Sequence, residues 1–178
     1  MISKLVFKLV VEDDGIPVFV QPISYDSVSN IVSNYEDSKE SDDFFKLVAK
    51  HPASEVRENV AYKDKISPEV LTILIKDKSL AVIRNLVRSQ AFKEYASAED
   101  IERLMYSDIE VAKNIASDIE SYQNADVGKL SSLILAMGDP AVLADLAYNS
   151  RTPKKILREL TKHEDPRVAA QAKRSLDY

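Results

Sequence analysis

One six-residue phrase recurs along the chain, and a chain that repeats itself at a fixed period must bury its apolar surface mainly between like units. The copies are Val56-Arg57-Glu58-Asn59-Val60-Ala61, Val82-Ile83-Arg84-Asn85-Leu86-Val87, Val111-Ala112-Lys113-Asn114-Ile115-Ala116, Val142-Leu143-Ala144-Asp145-Leu146-Ala147 and Val168-Ala169-Ala170-Gln171-Ala172-Lys173. Each has Val first, an amide or Asp three residues on, and an apolar residue next. The leading valines lie 26, 29, 31 and 26 residues apart, inside the window of roughly 20–50 residues that marks stacked repeats.

Composition agrees with a helical array. The chain has 178 residues, is 45% hydrophobic and 30% charged, and contains only three Gly, which disfavours a turn-rich β fold and a glycine-built phosphate loop. With no Cys, disulfides, thiolate metal sites and cysteine nucleophiles are excluded; two His leave little for metal chemistry, and no cofactor is expected. No apolar run approaches the roughly 18 residues of a membrane span. The apolar N-terminal run is broken by Lys8 and followed by Glu12-Asp13-Asp14 instead of a cleavage site. A cytoplasmic protein that does not engage membranes is expected.

The first 43 residues read as a cap. Ser3 to Val11 and Ile16 to Val20 are apolar runs either side of Glu12-Asp13-Asp14-Gly15, a hairpin signal because glycine takes the positive φ of the turn. Pro17 then faces outward on an edge. A lone hairpin is marginal in water, so the helix starting near Asp26 or Ser27, with Val28, Ile31, Val32 and Tyr35 on one face, is its expected support. The acidic stretch from Glu36 to Asp43 separates this cap, residues 1–43, from the repeat array, residues 44–178. The hairpin edge is also a surface on which two chains can pair.

From Phe44 onward helices come in pairs. Ser67-Pro68 and Thr152-Pro153 read as helix starts, a hydroxyl accepting an orphan N–H ahead of proline, and Ser97-Ala98-Glu99-Asp100 resembles a capping box. Asp108, Asp139 and Asp165 each stand three residues before a leading valine, where they cap the helix and meet its dipole. Residues 56–76 and 142–162 align without a gap, matching Val70 with Ile156, Leu71 with Leu157 and Leu74 with Leu160. The second and third repeats carry extra residues around 91–95 and 121–125, expected to protrude as loops.

At these phrases a family resemblance emerges. His51-Pro52-Ala53-Ser54-Glu55-Val56-Arg57 and His163-Glu164-Asp165-Pro166-Arg167-Val168, with Ser67-Pro68-Glu69-Val70-Leu71 and Thr152-Pro153-Lys154-Lys155-Ile156-Leu157, resemble leucine-rich repeat variants, short relatives of the HEAT and armadillo class. The likeness covers about residues 44–178 and loses its proline marks in the middle repeats. It implies a mainly α fold, a right-handed α-solenoid of four to five short repeats, that binds protein and sometimes nucleic acid. Some members carry an N-terminal iron–sulfur module, which a chain without Cys cannot hold. DNA glycosylases of HEAT-like fold share the architecture, but no aromatic cleft with a catalytic Asp is recognisable here.

Candidate sites follow from what breaks or decorates the repeat. The series Asn59, Asn85, Asn114, Asp145 and Gln171 can line a groove that grips a peptide backbone; the alternative, which we expect, is that these side chains satisfy loop backbone groups between repeats. His51 and His163 each precede a signature valine by five residues, where Asp77 stands in the second repeat, a pattern of inter-helix caps more than of acid–base chemistry. No carboxylate pair stands apart, so no catalytic residue is nominated and the chain is expected to be non-catalytic. Tyr62, Tyr106, Tyr122 and Tyr148 can anchor a partner, with packing at the core edge the alternative for Tyr62 and Tyr148, which share one repeat position, and Arg88 joins them as a contact candidate. Residues 151–178 carry eight basic and four acidic side chains in a chain of net charge −5. Within them Arg151 precedes Lys154, Arg158 and Lys162, which recur at i, i+4 and i+8 on one helix face; they can track phosphates, but the reading we expect is the solvated outer face of a terminal capping repeat. The expected function is a protein-docking module, in one form an inhibitor neutralising a basic protein through the acidic middle; nucleic-acid binding through the basic last repeat is the alternative.

Overall fold

The computed structural model describes residues 5–177 of the chain; Ser3 and Lys4, the start of the expected first strand, lie outside them. Among the described residues there are two strands, β1 (Lys8–Asp13) and β2 (Ile16–Pro22), and twelve α-helices. The chain divides between Ser89 and Gln90 into two compact units, so the boundary expected at residue 43 falls inside the first. No helix among the described residues is long and apolar enough to cross a membrane.

In the first unit β1 and β2 pair antiparallel, Leu9 opposite Gln21 and Val11 opposite Phe19, with a bulge between Val11 and Glu12. The turn is the Asp-Gly pair that signalled it: Asp13 is still in the strand, and Asp14 (φ 48°) and Gly15 (φ 77°) alone make the reversal, the mirror-image turn whose twist matches the strands. The hairpin does not lie on the first helix. Every residue of both strands is exposed, and the hold is at its base, where Phe7 meets Phe44 edge-on at 6.4 Å and His51 at 5.6 Å.

The remaining helices of this unit form two rows. Helices α1 (Tyr25–Asn34), α3 (Ser54–Ala61) and α5 (Leu80–Leu86) pack successively on one another, and α2 (Asp42–Val48) packs on α4 (Pro68–Leu74). The first helix thus occupies the place of a signature helix. Val28 and Val32 stand 28 residues before Val56 and Val60, and all four are buried. Ser24 caps α1 by accepting the Ser27 N–H at 3.2 Å, which starts the helix earlier than Asp26, and Ser67 caps α4 by accepting from Val70 at 3.3 Å.

In the second unit α6 (Gln90–Tyr95) and α7 (Ala98–Met105) precede α8 (Ile109–Ser117), α9 (Val127–Met137), α10 (Pro140–Tyr148), α11 (Lys154–Leu160) and α12 (Pro166–Leu176). The signature helices α8, α10 and α12 pack in succession, and α9 touches α11. Asp108, Asp139 and Asp165 cap them as expected, accepting N–H groups at 3.1, 2.9 and 2.8 Å. Ser97 caps α7 through the Asp100 N–H at 3.1 Å. Thr152 does not cap α11. It is buried, and its hydroxyl donates to the Leu146 carbonyl at 2.6 Å, leaving Pro153 at the cap position.

The apolar positions of the signature carry the core of both units. All five leading valines, and Val60, Leu86, Ile115, Leu146 and Ala172 four residues on, are fully buried. Helices of seven to eleven residues are too short to persist alone, so this seam stabilises them.

Candidate functional site

The loops before the signature helices use one device with three side chains. The His51 ring Nδ1 accepts the Ala53 N–H at 3.1 Å, the Asp77 carboxylate accepts the Ser79 N–H at 2.8 Å, and the His163 ring Nδ1 accepts the Asp165 N–H at 3.1 Å. Each bridges two residues forward into a helix start, the capping role expected of this position. Burial pushes the His51 pKa down, and the nearby Arg57 charge adds to the fall.

Arg57 links successive loops. Its Nε and second guanidinium nitrogen donate to Asp77 at 2.6 and 2.9 Å, and its remaining nitrogen donates to the His51 and Pro52 carbonyls at 2.7 and 3.0 Å. Burial works against the Asp77 charge, yet the Arg57 guanidinium and the Ser79 N–H hold its pKa below the ordinary carboxylate value.

Two members of the amide series bond along and between helices and not to the loop backbone groups expected of them. Asn59 donates to the Ser29 hydroxyl on α1 at 2.6 Å and to the Glu55 carbonyl of its own helix at 2.9 Å; it ties helix to helix and not loop to loop. Gln171 reaches Ser175 within its own helix at 3.3 Å. Asp145 is half-buried, and burial raises its pKa, with Glu110 acting in the same direction and Lys113 against it.

The acidic connector is likewise structural. Asp37 accepts the Asp64 and Lys65 N–H groups at 2.9 and 3.0 Å; Asp42 accepts from Ser67 at 3.1 Å and pairs with Lys46 at 2.7 Å.

The two insertions do not protrude. Residues 91–95 lie in α6, where Ala91 and Phe92 are buried, and residues 121–125 fold back on them. Phe92 meets Tyr122 edge-on at 5.9 Å; Gln123 donates its N–H to the Lys93 carbonyl at 3.0 Å, Asn124 donates to the Glu94 carbonyl at 3.0 Å, and Lys93 pairs with Asp118 at 2.8 Å. Tyr122 is 3% exposed, and burial raises its phenol pKa. It is a core residue, so the contact role expected for it is withdrawn.

Tyr62 and Tyr148 remain, 69% and 77% exposed, and the repeat gives each the same companions. In the first unit Tyr62, Asn85 and Arg88 line a groove of about 190 Å³ with Asp64 and Ser89. In the second, Tyr148, Gln171 and Arg174 are shared by two clefts of about 570 and 510 Å³. The first cleft adds Asp145 and Arg167, and the second adds Thr152, Lys154 and Leu157. Tyr62 and Tyr148 stand six residues after their leading valines, as do Arg88 and Arg174; Asn85 and Gln171 stand three after. An aromatic from one repeat, with an amide and a guanidinium from the next, therefore recurs in each unit. Arg174 belongs to the basic set of the last repeat in the sequence but was not matched there to Arg88, although its spacing of 26 residues from Tyr148, equal to that of Arg88 from Tyr62, was the available signal.

Of the other basic candidates, Lys154, Arg158 and Lys162 are exposed; Lys154 lines a cleft, and Arg151 lines another with Glu120 and Val127. Arg151 is exposed and lies 3.5 Å from Glu120. Tyr106 is exposed and lines none of these grooves. No protein-family model, curated protein or solved structure matches the chain.

Proposed function

We propose that the chain is a non-catalytic docking module, an α-solenoid of the HEAT-like or leucine-rich-repeat-variant kind, that holds extended, acidic segments of a protein partner. The recurrence of the tyrosine–amide–arginine groove at the same repeat positions in both units carries this reading. Each component suits such a ligand. An exposed tyrosine offers a rigid apolar face with little rotamer entropy to lose. A carboxamide donates and accepts, as a peptide backbone requires, and a guanidinium recognises a carboxylate in bidentate fashion. The solenoid assignment is supported by the succession α1, α3, α5 in one unit and α8, α10, α12 in the other.

Selection of displayed random peptides against the intact protein tests it. Enriched sequences rich in Asp and Glu are expected, with binding weakened about tenfold or more by Tyr148→Ala or Arg174→Glu, in the range of an interface hot spot. Selection without acidic enrichment, or binding indifferent to both substitutions, would refute the reading. A second reading rests on Lys154, Lys155, Arg158 and Lys162, all exposed and without an ion pair among the described residues. If that face tracks nucleic-acid phosphates, duplex binding at low salt falls steeply as salt rises.

A further inference from the structure

Among the described residues the hairpin is the one element whose apolar side chains are left in water on both faces. Leu9, Val10, Val11, Ile16, Val18, Phe19 and Val20 are between 45% and 67% exposed. Together they leave on the order of 600 Å² of apolar surface, divided between the two faces, each share the size of the largest patch on an ordinary monomer. A two-stranded sheet is marginal alone, so this arm calls for a further strand.

The two edges are not equivalent. Pro17 and Pro22 in β2 have no N–H to offer, the device by which edge strands are closed to pairing. The edge of β1 has no proline. Ile23 donates its N–H to the Phe7 carbonyl at 3.0 Å, and Lys8, Leu9, Val10 and Val11 continue that register opposite Pro22, Gln21, Val20 and Phe19. By antiparallel alternation Phe7, Leu9 and Val11 turn their backbone groups toward β2. Lys8 and Val10, and Glu12 beyond them, then turn theirs outward.

We propose that this edge pairs with the same edge of a second copy of the chain, antiparallel and centred on Val10. The sequence Lys8-Leu9-Val10-Val11-Glu12 is complementary to itself in that register. Val10 lies opposite Val10, Leu9 opposite Val11, and the lone cation Lys8 opposite the anion Glu12, twice over. The residues so paired on the hydrogen-bonded rungs are the three whose backbone groups face outward. Neither Lys8 nor Glu12 has an ion pair among the described residues. A two-fold axis perpendicular to the sheet makes one four-stranded sheet from two hairpins, with Leu9, Val11 and Phe19 of both copies together on one face. A closed two-fold contact of this kind ends at the dimer.

Sedimentation velocity on the full chain, from low micromolar to several hundred micromolar, reads the outcome. A concentration-dependent dimer is expected. Lys8→Glu alone and Glu12→Lys alone each place like charges opposite one another twice and weaken it about tenfold. The double variant restores it, and an equimolar mixture of the two single variants forms the mixed dimer although neither dimerises well alone. Both positions are exposed, so the fold tolerates these changes, and circular dichroism of each variant checks this. A wild-type chain that stays monomeric throughout overturns the proposal and leaves the arm to a strand from another protein. A dimer that both single variants leave intact overturns it as well, because that dimer uses another surface.

Discussion

In the first unit neighbouring repeats are fastened by polar side chains: Arg57 on Asp77, Asn59 on Ser29, and Lys63 on the Ser33 and Tyr35 carbonyls at 2.9 Å each. In the second, two inserted segments close over Phe92 and Tyr122, Asn149 donates to the Ser117 carbonyl at 2.7 Å, and of the half-buried signature residues Asn114, Asp145 and Gln171 it is Asp145 that has its pKa raised by that burial. Both units nevertheless present the same tyrosine–amide–arginine groove. The buried valine seam therefore sets where the groove residues stand, and the fasteners between repeats are free to differ. What does differ at the grooves is charge: Asp64 lines the first, whereas in the second Asp145 and Arg167 line one cleft, Arg167 paired with Asp165 at 2.7 Å, and Lys154 lines the other. On the proposed docking reading the Lys154 cleft is the stronger site for an acidic segment.

Removing the apolar fastener has the largest expected effect. Phe92→Ala empties a fully buried ring site and costs about 3–5 kcal/mol, read by urea denaturation. Because Phe92 lies in the second unit, protection of α8 and α10 amides in hydrogen exchange falls before that of α3. Equal loss in both units would break the distinction between them.

The polar fastener comes next. Arg57→Ala leaves Asp77 buried without its cation and costs about 2–4 kcal/mol. The double variant Arg57→Ala/Asp77→Ala costs less than the two single changes together, because the stranded charge is gone. The sign with pH follows from the depressed Asp77 pKa. Its contribution is fully present above the ordinary Asp value of 3.8 and is lost as pH falls through the lower native value. The Arg57→Ala defect therefore shrinks in strong acid.

Two smaller effects sharpen the contrast. The native pKa of His51 is lowered, so the unfolded chain takes up a proton first. Wild-type stability is complete above the ordinary His value of 6.5 and declines below it. His51→Asn keeps an acceptor for the Ala53 N–H, as Asn149 does for the Arg151 N–H at 2.9 Å, and flattens the decline in a denaturation series from pH 7 to 5. Asp145→Asn stabilises the chain by up to about 1 kcal/mol at pH 7. The raised native pKa makes this a relief of charge burial, so the gain fades as pH falls through that value.

Much of this was readable in the residues. The leading valines and the aspartate caps at 108, 139 and 165 follow local rules, in which a side chain meets its own helix, and those expectations hold. The histidine caps were legible because Asp77 occupies the same loop position. What escaped depends on distant partners. The connector reads as a linker until Asp37 and Asp42 are seen to accept N–H groups of the following loop. The insertions read as loops because Phe92 and Tyr122, 30 residues apart, are buried only by each other's segments. The first helix hides its kinship because Ile31 stands where later copies carry an amide. The grooves were half visible: the shared position of Tyr62 and Tyr148 was plain, whereas the matching of Arg174 to Arg88 needed the next repeat brought alongside.

The most direct measurement is an amide-resolved NMR titration of the intact protein with an acidic peptide recovered by selection. Shifts are predicted around Tyr148, Gln171 and Arg174 first, and around Tyr62, Asn85 and Arg88 at higher peptide concentration. Shifts confined to the face of Lys154, Arg158 and Lys162, and reproduced by a short DNA duplex, would contradict protein docking in the grooves.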